Sequence, residues 1–372
     1  PKFTSWLRPR WRTTSSFALL RSLNSRSVVR EFGDSAGAFF LPQTYNNSRS
    51  NELGLSLDYG RGLRLLAGDS SGVASLVRRF RPLELAWTKA RLSSFDLATF
   101  SPSLSYQLAL GGRDAFLEQE GRRALGASET NGTTAATGLD FPFGLTATIN
   151  YTDLVTQRFQ QVNEGFLVAT VSQREWPSGT LRFTRSFRRG ALTLLTLAAG
   201  LRERRGSTIQ PSASGTQAVT ANRSRTLNPE LQLGFRNGLN ALATLNDVRQ
   251  SSEVNGSTTE LDQDDLTATL SLPFKLPFRV GGQRRVARSS FTALLSRAEQ
   301  CLQRRDAPDC QVISDTRRQE FRASVDTDVI SIATAGLQVG YTINELRHLD
   351  RKTSQVFLLL TFTLSLFSGD YR

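Results

Sequence analysis

Few residues in this chain could do chemistry, and their spacing limits what that chemistry is. Cys301 and Cys310 lie nine positions apart and bracket the polar segment LQRRDAPD. In an oxidising compartment such a pair reads as a disulfide closing a small loop. One histidine, His348, is too little to build a zinc site, which wants three or four Cys, His or carboxylate ligands. His348 has Glu345 and Asp350 nearby, a set suited to acid–base work. No G-x-S-x-G elbow accompanies it, and a surface-loop histidine is the simpler reading. The acidic run Glu260–Asp265 offers oxygens to a hard cation but lacks EF-hand spacing, so it reads as a solvated strand start. There is no Walker A sequence and no G-x-G-x-x-G after a strand, hence no phosphate cradle. The expectation is a protein that is not an enzyme, holds no metal and carries no cofactor.

The 372 residues carry a net charge of +13, with a pI near 10.7. Basic charge comes almost wholly from arginine, 42 residues against 4 lysines. Such a balance points to a polyanionic neighbour, either nucleic acid or the phosphates of a membrane surface. High-GC codon usage would also raise arginine over lysine. RNP, KH and helix-turn-helix patterns are missing, so nucleic acid is not the expected partner. Outer-membrane lipid and lipopolysaccharide are.

The elements that must position these residues follow from a period-two pattern along nearly the whole chain. Leu145, Ala147, Ile149 and Tyr151 alternate with Thr146, Thr148, Asn150 and Thr152. In 333–344, Ala333, Ala335, Leu337, Val339, Tyr341 and Ile343 alternate with Thr334, Gly336, Gln338, Gly340, Thr342 and Asn344. A soluble sheet alternates with its apolar side inward, a membrane barrel with its apolar side outward. The polar positions here are mostly Thr, Ser, Gly, Asn and Gln, without the Lys and Glu that guard a solvated sheet. The pattern also runs long, over 217–236 and 285–300. Globular strands average about 5–6 residues. The longest near-continuous apolar run, Val356–Phe367, is too short for a membrane helix of about 20 residues.

Strands are expected over 5–22, 52–65, 82–93, 102–111, 131–141, 145–160, 166–187, 191–207, 218–236, 240–253, 258–273, 286–300, 311–327, 332–347 and 352–367. That is about 15, and an odd number would suit a sector of a larger barrel, since bacterial single-chain barrels have even counts. The strand 166–187 needs a bulge at Glu175–Ser178 to pass Pro177. Short loop helices are expected at Ser70–Phe80 and Asp114–Leu125. Tight turns at Phe143-Gly144, Arg189-Gly190, Asn237-Gly238 and Asp328–Ser331 alternate with longer connections at Ser207–Thr216, Ser251–Ser257, Cys301–Cys310 and His348–Arg351. Short turns on the periplasmic side and long loops outside are the habit of outer-membrane barrels.

Trp176, Phe187, Phe235, Phe274, Phe278, Phe367 and Tyr371 fall near strand ends, as interfacial girdles do. Arg182, Arg202, Gln232, Arg236 and Gln338 fall on polar faces and would line the lumen. The clusters Arg8–Arg12, Arg202–Arg205, Arg284–Arg288 and Arg317–Arg322 fall near expected strand ends, where they could meet lipid phosphates. On this assignment an arginine at Gly340 should be tolerated better than one at Val339.

Four strings carry a resemblance: SWLRPRW (Ser5–Trp11), QREWPSGTLRF (Gln173–Phe183), LNPELQLGFRNG (Leu227–Gly238) and the ending RKTSQVFLLLTFTLSLFSGDYR. They resemble the C-terminal part of SprA-family (Sov-like) cell-surface proteins, very large outer-membrane barrels whose members serve as the translocon of type IX secretion. The resemblance implies a polar-lined pore for protein export. It also implies secreted cargo and other secretion-system subunits as partners, and no active site. The missing methionine and signal peptide read as the mark of a C-terminal fragment of a longer chain.

The expected fold is all-β. It is an antiparallel transmembrane β-barrel, or a sector of a larger one, spanning residues 1–372 as a single unit in the bacterial outer membrane. A generic porin-like or lipopolysaccharide-handling barrel is the first alternative. A soluble β-rich polyanion-binding protein is the second.

Overall fold

The computed structural model describes residues 6–21, 27–29, 38–40, 43–62, 79–98, 102–162, 165–211, 217–280, 283–305, 309–330 and 333–364. Fourteen long strands form one antiparallel sheet. They are β1 (Leu7–Arg21), β4 (Gln43–Leu57), β5 (Leu83–Ala98), β8 (Gly126–Asp140), β9 (Leu145–Val162), β10 (Gly165–Ser186), β11 (Leu192–Pro211), β12 (Gln217–Phe235), β13 (Asn240–Val254), β14 (Ser257–Val280), β15 (Gln283–Gln303), β16 (Gln311–Ile330), β17 (Ala333–Leu346) and β18 (Arg351–Leu364). Two small ribbons lie outside it, β2 (Ser27–Val29) with β3 (Ala38–Phe40), and β6 (Glu118–Gln119) with β7 (Arg122–Arg123). Each sheet strand is bonded to the next in sequence, with β1 and β18 at the two ends of the order. This is up-and-down connectivity, which tight turns and strong alternation favour. By contacts the chain gathers into two compact units, 1–138 with 150–176 and 204–221, and 139–149 with 177–203 and 222–372.

The all-β antiparallel expectation holds, with corrections. Among the described residues the sheet has fourteen strands, an even number, where about fifteen were expected. The segment 102–111 is not a strand. It holds the helix α1 (Leu104–Gln107), and α2 (Arg113–Leu117) follows. The hydroxyl of Ser103 accepts from the Tyr106 N–H at 3.3 Å and starts α1. Tyr106 is then buried among Tyr45, Phe95 and Phe159, with its ring edge-on to Phe95 at 5.6 Å. Its hydroxyl shares a hydrogen bond with Ser93 at 2.9 Å. Asn47 donates to the Tyr106 carbonyl, and Arg49 donates to that of Ala109 at 2.7 Å. Docking onto the sheet overrides the local alternation. The helix expected over Asp114–Leu125 shrinks to α2 and gives way to the β6–β7 ribbon. Ser70–Phe80 lies outside the described residues apart from its last two.

Two of the three Asn-Gly pairs exchange roles, while Asn131-Gly132 lies inside β8. Asn255 and Gly256 both take positive φ, 50° and 83°, and join Val254 to Ser257 as a two-residue turn. That is the type I′ geometry expected at Asn237-Gly238. There only Gly238 is left-handed, at 87°, within a longer turn in which Phe235 N–H donates to Leu239 O at 2.8 Å. The long connection expected over Ser251–Ser257 is therefore tight. β10 does run through Pro177 as one strand. The Trp176 ring meets Tyr151, while Thr180 shares a hydroxyl hydrogen bond with Thr148. Tyr151 and Thr148 face opposite ways in an alternating β9. Trp176 and Thr180 therefore need one extra residue between them, as the expected bulge provides.

Candidate functional site

Within the second unit the registers sort β14–β18 into two faces. Leu270, Phe291, Ala323, Val339 and Leu358 stand in one cross-strand row. Leu337 with Leu360, and Tyr341 with Val356, flank it. This apolar face extends over Ala333–Ile343 of β17, the length of about 9–11 residues that a tilted strand needs to cross a membrane. Beyond it come charged pairs, Lys352 with Glu345 at 2.8 Å and Arg297 with Glu299 at 2.7 Å.

The opposite face is polar. Ser290, Ser324 and Gln338 form one row, with the two serine hydroxyls 2.8 Å apart. Thr292, Arg322, Gly340 and Phe357 form the next. Glu320 is nearly buried at 7% exposure. Its carboxylate accepts from Arg318 at 2.5 Å and from Arg322. The cluster Arg317–Arg322 is thus mid-strand, not at a strand end, and Arg318 and Arg322 are tied to Glu320. Period two places these three side chains on one face. No sequence signal reports the pairing, because it depends on the neighbouring strands that enclose Glu320.

Within the first unit, Arg10 pairs with Glu52, the Ser16 and Ser48 hydroxyls lie 2.8 Å apart, and Thr130 meets Thr156 at 3.0 Å. Leu53, Leu55 and Leu57 oppose Trp87, Leu85 and Leu83 on the other face. Glu129 there receives Lys89 and Arg91, each at 3.0 Å.

Of the residues expected to line a pore, Gln338 sits in the serine row. Arg182 is exposed on β10, two residues beyond Thr180. Arg202 is exposed on β11 beside Glu203, which takes Arg223 at 2.8 Å. Gln232 lies on β12, two residues from Gly234. Arg236 falls past the end of β12, in the turn, where it donates to the Arg188 carbonyl at 2.8 Å. Among the girdle aromatics, Trp176 is mid-strand. Phe187 and Phe235 are at strand ends. Phe367 and Tyr371 lie outside the described residues, as does the side chain of Phe278.

Cys301 and Cys310 form a disulfide, with Cα atoms 5.6 Å apart. Glu260 is beside them, but thiols joined as a disulfide offer no thiolate to a metal. The rest of Glu260–Asp265 lies within β14, where alternation sends Asp264 and Asp265 to opposite faces. Glu260, Asp262 and Asp264 share the other face of the strand. His348 sits in an exposed 3-10 turn, where Nδ1 accepts from the Asp315 N–H at 3.3 Å. Glu345 is engaged by Lys352.

No protein-family model and no curated protein matches the chain. A BenF-like porin from Pseudomonas fluorescens Pf-5 aligns over 97% of this chain and 99% of its own, at 10% identity and a TM-score of 0.16. A TM-score of that size establishes no structural equivalence.

Proposed function

We propose that this chain spans the outer membrane of a bacterium as a porin-like β-barrel and forms a polar-lined pore. The observation that carries the reading is β18. Val356, Leu358, Leu360 and Phe362 are 74, 71, 77 and 65% exposed, and they continue the apolar row of β14–β17. Water would penalise such a surface by about 25 cal/mol per Å2, whereas lipid tails accept it. The polar face, with its Ser and Thr rows and its arginines, then bounds the aqueous path. Passage through it needs no bond chemistry. Arginine in excess over acid favours anions.

The test is reconstitution of the full chain into planar bilayers. Discrete conductance steps with anion preference are expected. A protein that stays in the aqueous fraction and gives no conductance would leave the soluble polyanion-binding alternative. Protein export, which the SprA-like strings imply, is the finer form of the proposal. Cross-linking between Gln338 or Arg182 positions and a secreted protein in transit is its expected signature. A pore passing only small anions would favour a generic porin.

A further inference from the structure

Resting on the reading that the apolar face meets lipid, we propose that the second unit holds one anionic phospholipid of the leaflet next to the short turns. A groove of about 430 Å3 opens on the apolar face of β9–β13, walled by Leu181, Phe183, Leu197, Leu231 and Leu245, with Ala199 among its lining residues. Its walls are mostly apolar side chains, which an acyl chain meets through dispersion contacts. Along their strands Phe183 and Leu197 stand four and six residues from the short turn 187–191, and Leu231 and Leu245 five and six from the turn 236–239.

Those turns carry the charge. Arg185 stands two residues beyond Phe183 on β10, so it shares that face at roughly 7 Å. Its guanidinium lies 5.4 Å from the Phe187 ring centroid. Arg188 and Arg189 are exposed in the turn, and Arg236 of the next turn is bound to the Arg188 carbonyl. That bond ties the two turns together, so that Arg185, Arg188, Arg189 and Arg236 fall in or beside two joined turns. Asp140, before the neighbouring turn, and Glu230, in the groove lining, are the acids here, so with four arginines the set stays net positive. An acyl chain fits the groove, and its phosphodiester meets the arginines through charge-assisted and bidentate hydrogen bonds. The position beside the short turns selects a glycerophospholipid over lipopolysaccharide, which would lie at the long-loop side.

The full chain is reconstituted into vesicles of phosphatidylcholine with phosphatidylglycerol, released in detergent and weighed by native mass spectrometry. Retained phosphatidylglycerol is expected over phosphatidylcholine. The R185Q/R188Q/R189Q variant should lower that preference at least about tenfold. Ala199→Phe should reduce retention of both lipids by filling the groove. Heat-modifiable gel mobility reports insertion separately. Insertion without preference for phosphatidylglycerol overturns the lipid site and leaves the pore reading standing. Failure of the wild type to insert overturns both. If inorganic phosphate binds as tightly as the phospholipid, the groove contributes nothing and the proposal falls.

Discussion

The guanidinium of Arg322 lies over the ring of Phe357, 5.6 Å from its centroid, across a β17 strand that offers only Gly340 between them. A Cβ at Gly340 would fall 2.1 Å from the Phe357 ring. The glycine therefore admits the aromatic, and Arg322 meets this ring as well as the Glu320 carboxylate.

This contact reverses the expectation for substitutions in β17. Gly340→Arg should cost stability although it lies on the polar face, because the Phe357 ring would have to swing away and give up its contact with Arg322. Gln338→Arg, in the serine row, should be tolerated. Val339→Arg on the apolar face should cost about 2–4 kcal/mol in a membrane. Urea titration of the three variants in lipid vesicles checks the order. Equal loss for Gln338 and Val339 would refute the assignment of faces.

Glu320→Gln removes the charge that holds Arg318 and Arg322. A loss of about 1.5–3 kcal/mol is expected for hydrogen bonds to a charged group. The two freed guanidinium groups should also raise anion over cation permeability. Reversal potentials across a salt gradient measure that shift.

Reduction of the Cys301–Cys310 disulfide, or Cys301→Ser with Cys310→Ser, should cost less than about 3 kcal/mol, because the closed loop is short. Conductance should persist, since the bridge lies at the β15–β16 connection away from the polar rows. Protease cutting between the two positions should rise in the variant.

Tyr106 lies in a connection between strands, and burial pushes its hydroxyl above the ordinary 10.0 while the Ser93 hydrogen bond pulls it back. The undocked connection gives up its proton first. The docked ring therefore stabilises fully below about pH 10, and that stabilisation fades as pH rises through the raised value. Proteolysis of residues 102–125 should accelerate there in the wild type. Tyr106→Phe should show no such pH step.

Alternation alone reveals most of this sheet, because side-chain direction in a strand has a period of two whatever the strand pairs with. Thirteen strand expectations besides that at 52–65 find counterparts, with ends off by five residues in β5 and β8 and by seven in β14, and β4 is found displaced toward Gln43. The failure at 102–111 has a tertiary cause, since Tyr106 gains more from burial among Phe95 and Phe159 than from continuing a strand. The turn residues were legible as Asn-Gly, but which pair became type I′ depended on how the flanking strands met in register.

Composition and period by themselves determined an all-β chain with one apolar and one polar face, the absence of a helical membrane span, and a disulfide-competent cysteine pair. Only the tertiary structure decided that Arg318 and Arg322 converge on Glu320, that Gly340 is reserved for Phe357, and that Arg236 leaves the strand to bind Arg188. Each of these is a contact between segments or a local end of pairing. Such outcomes depend on strand register, and a one-residue slip in register would send every side chain to the other face.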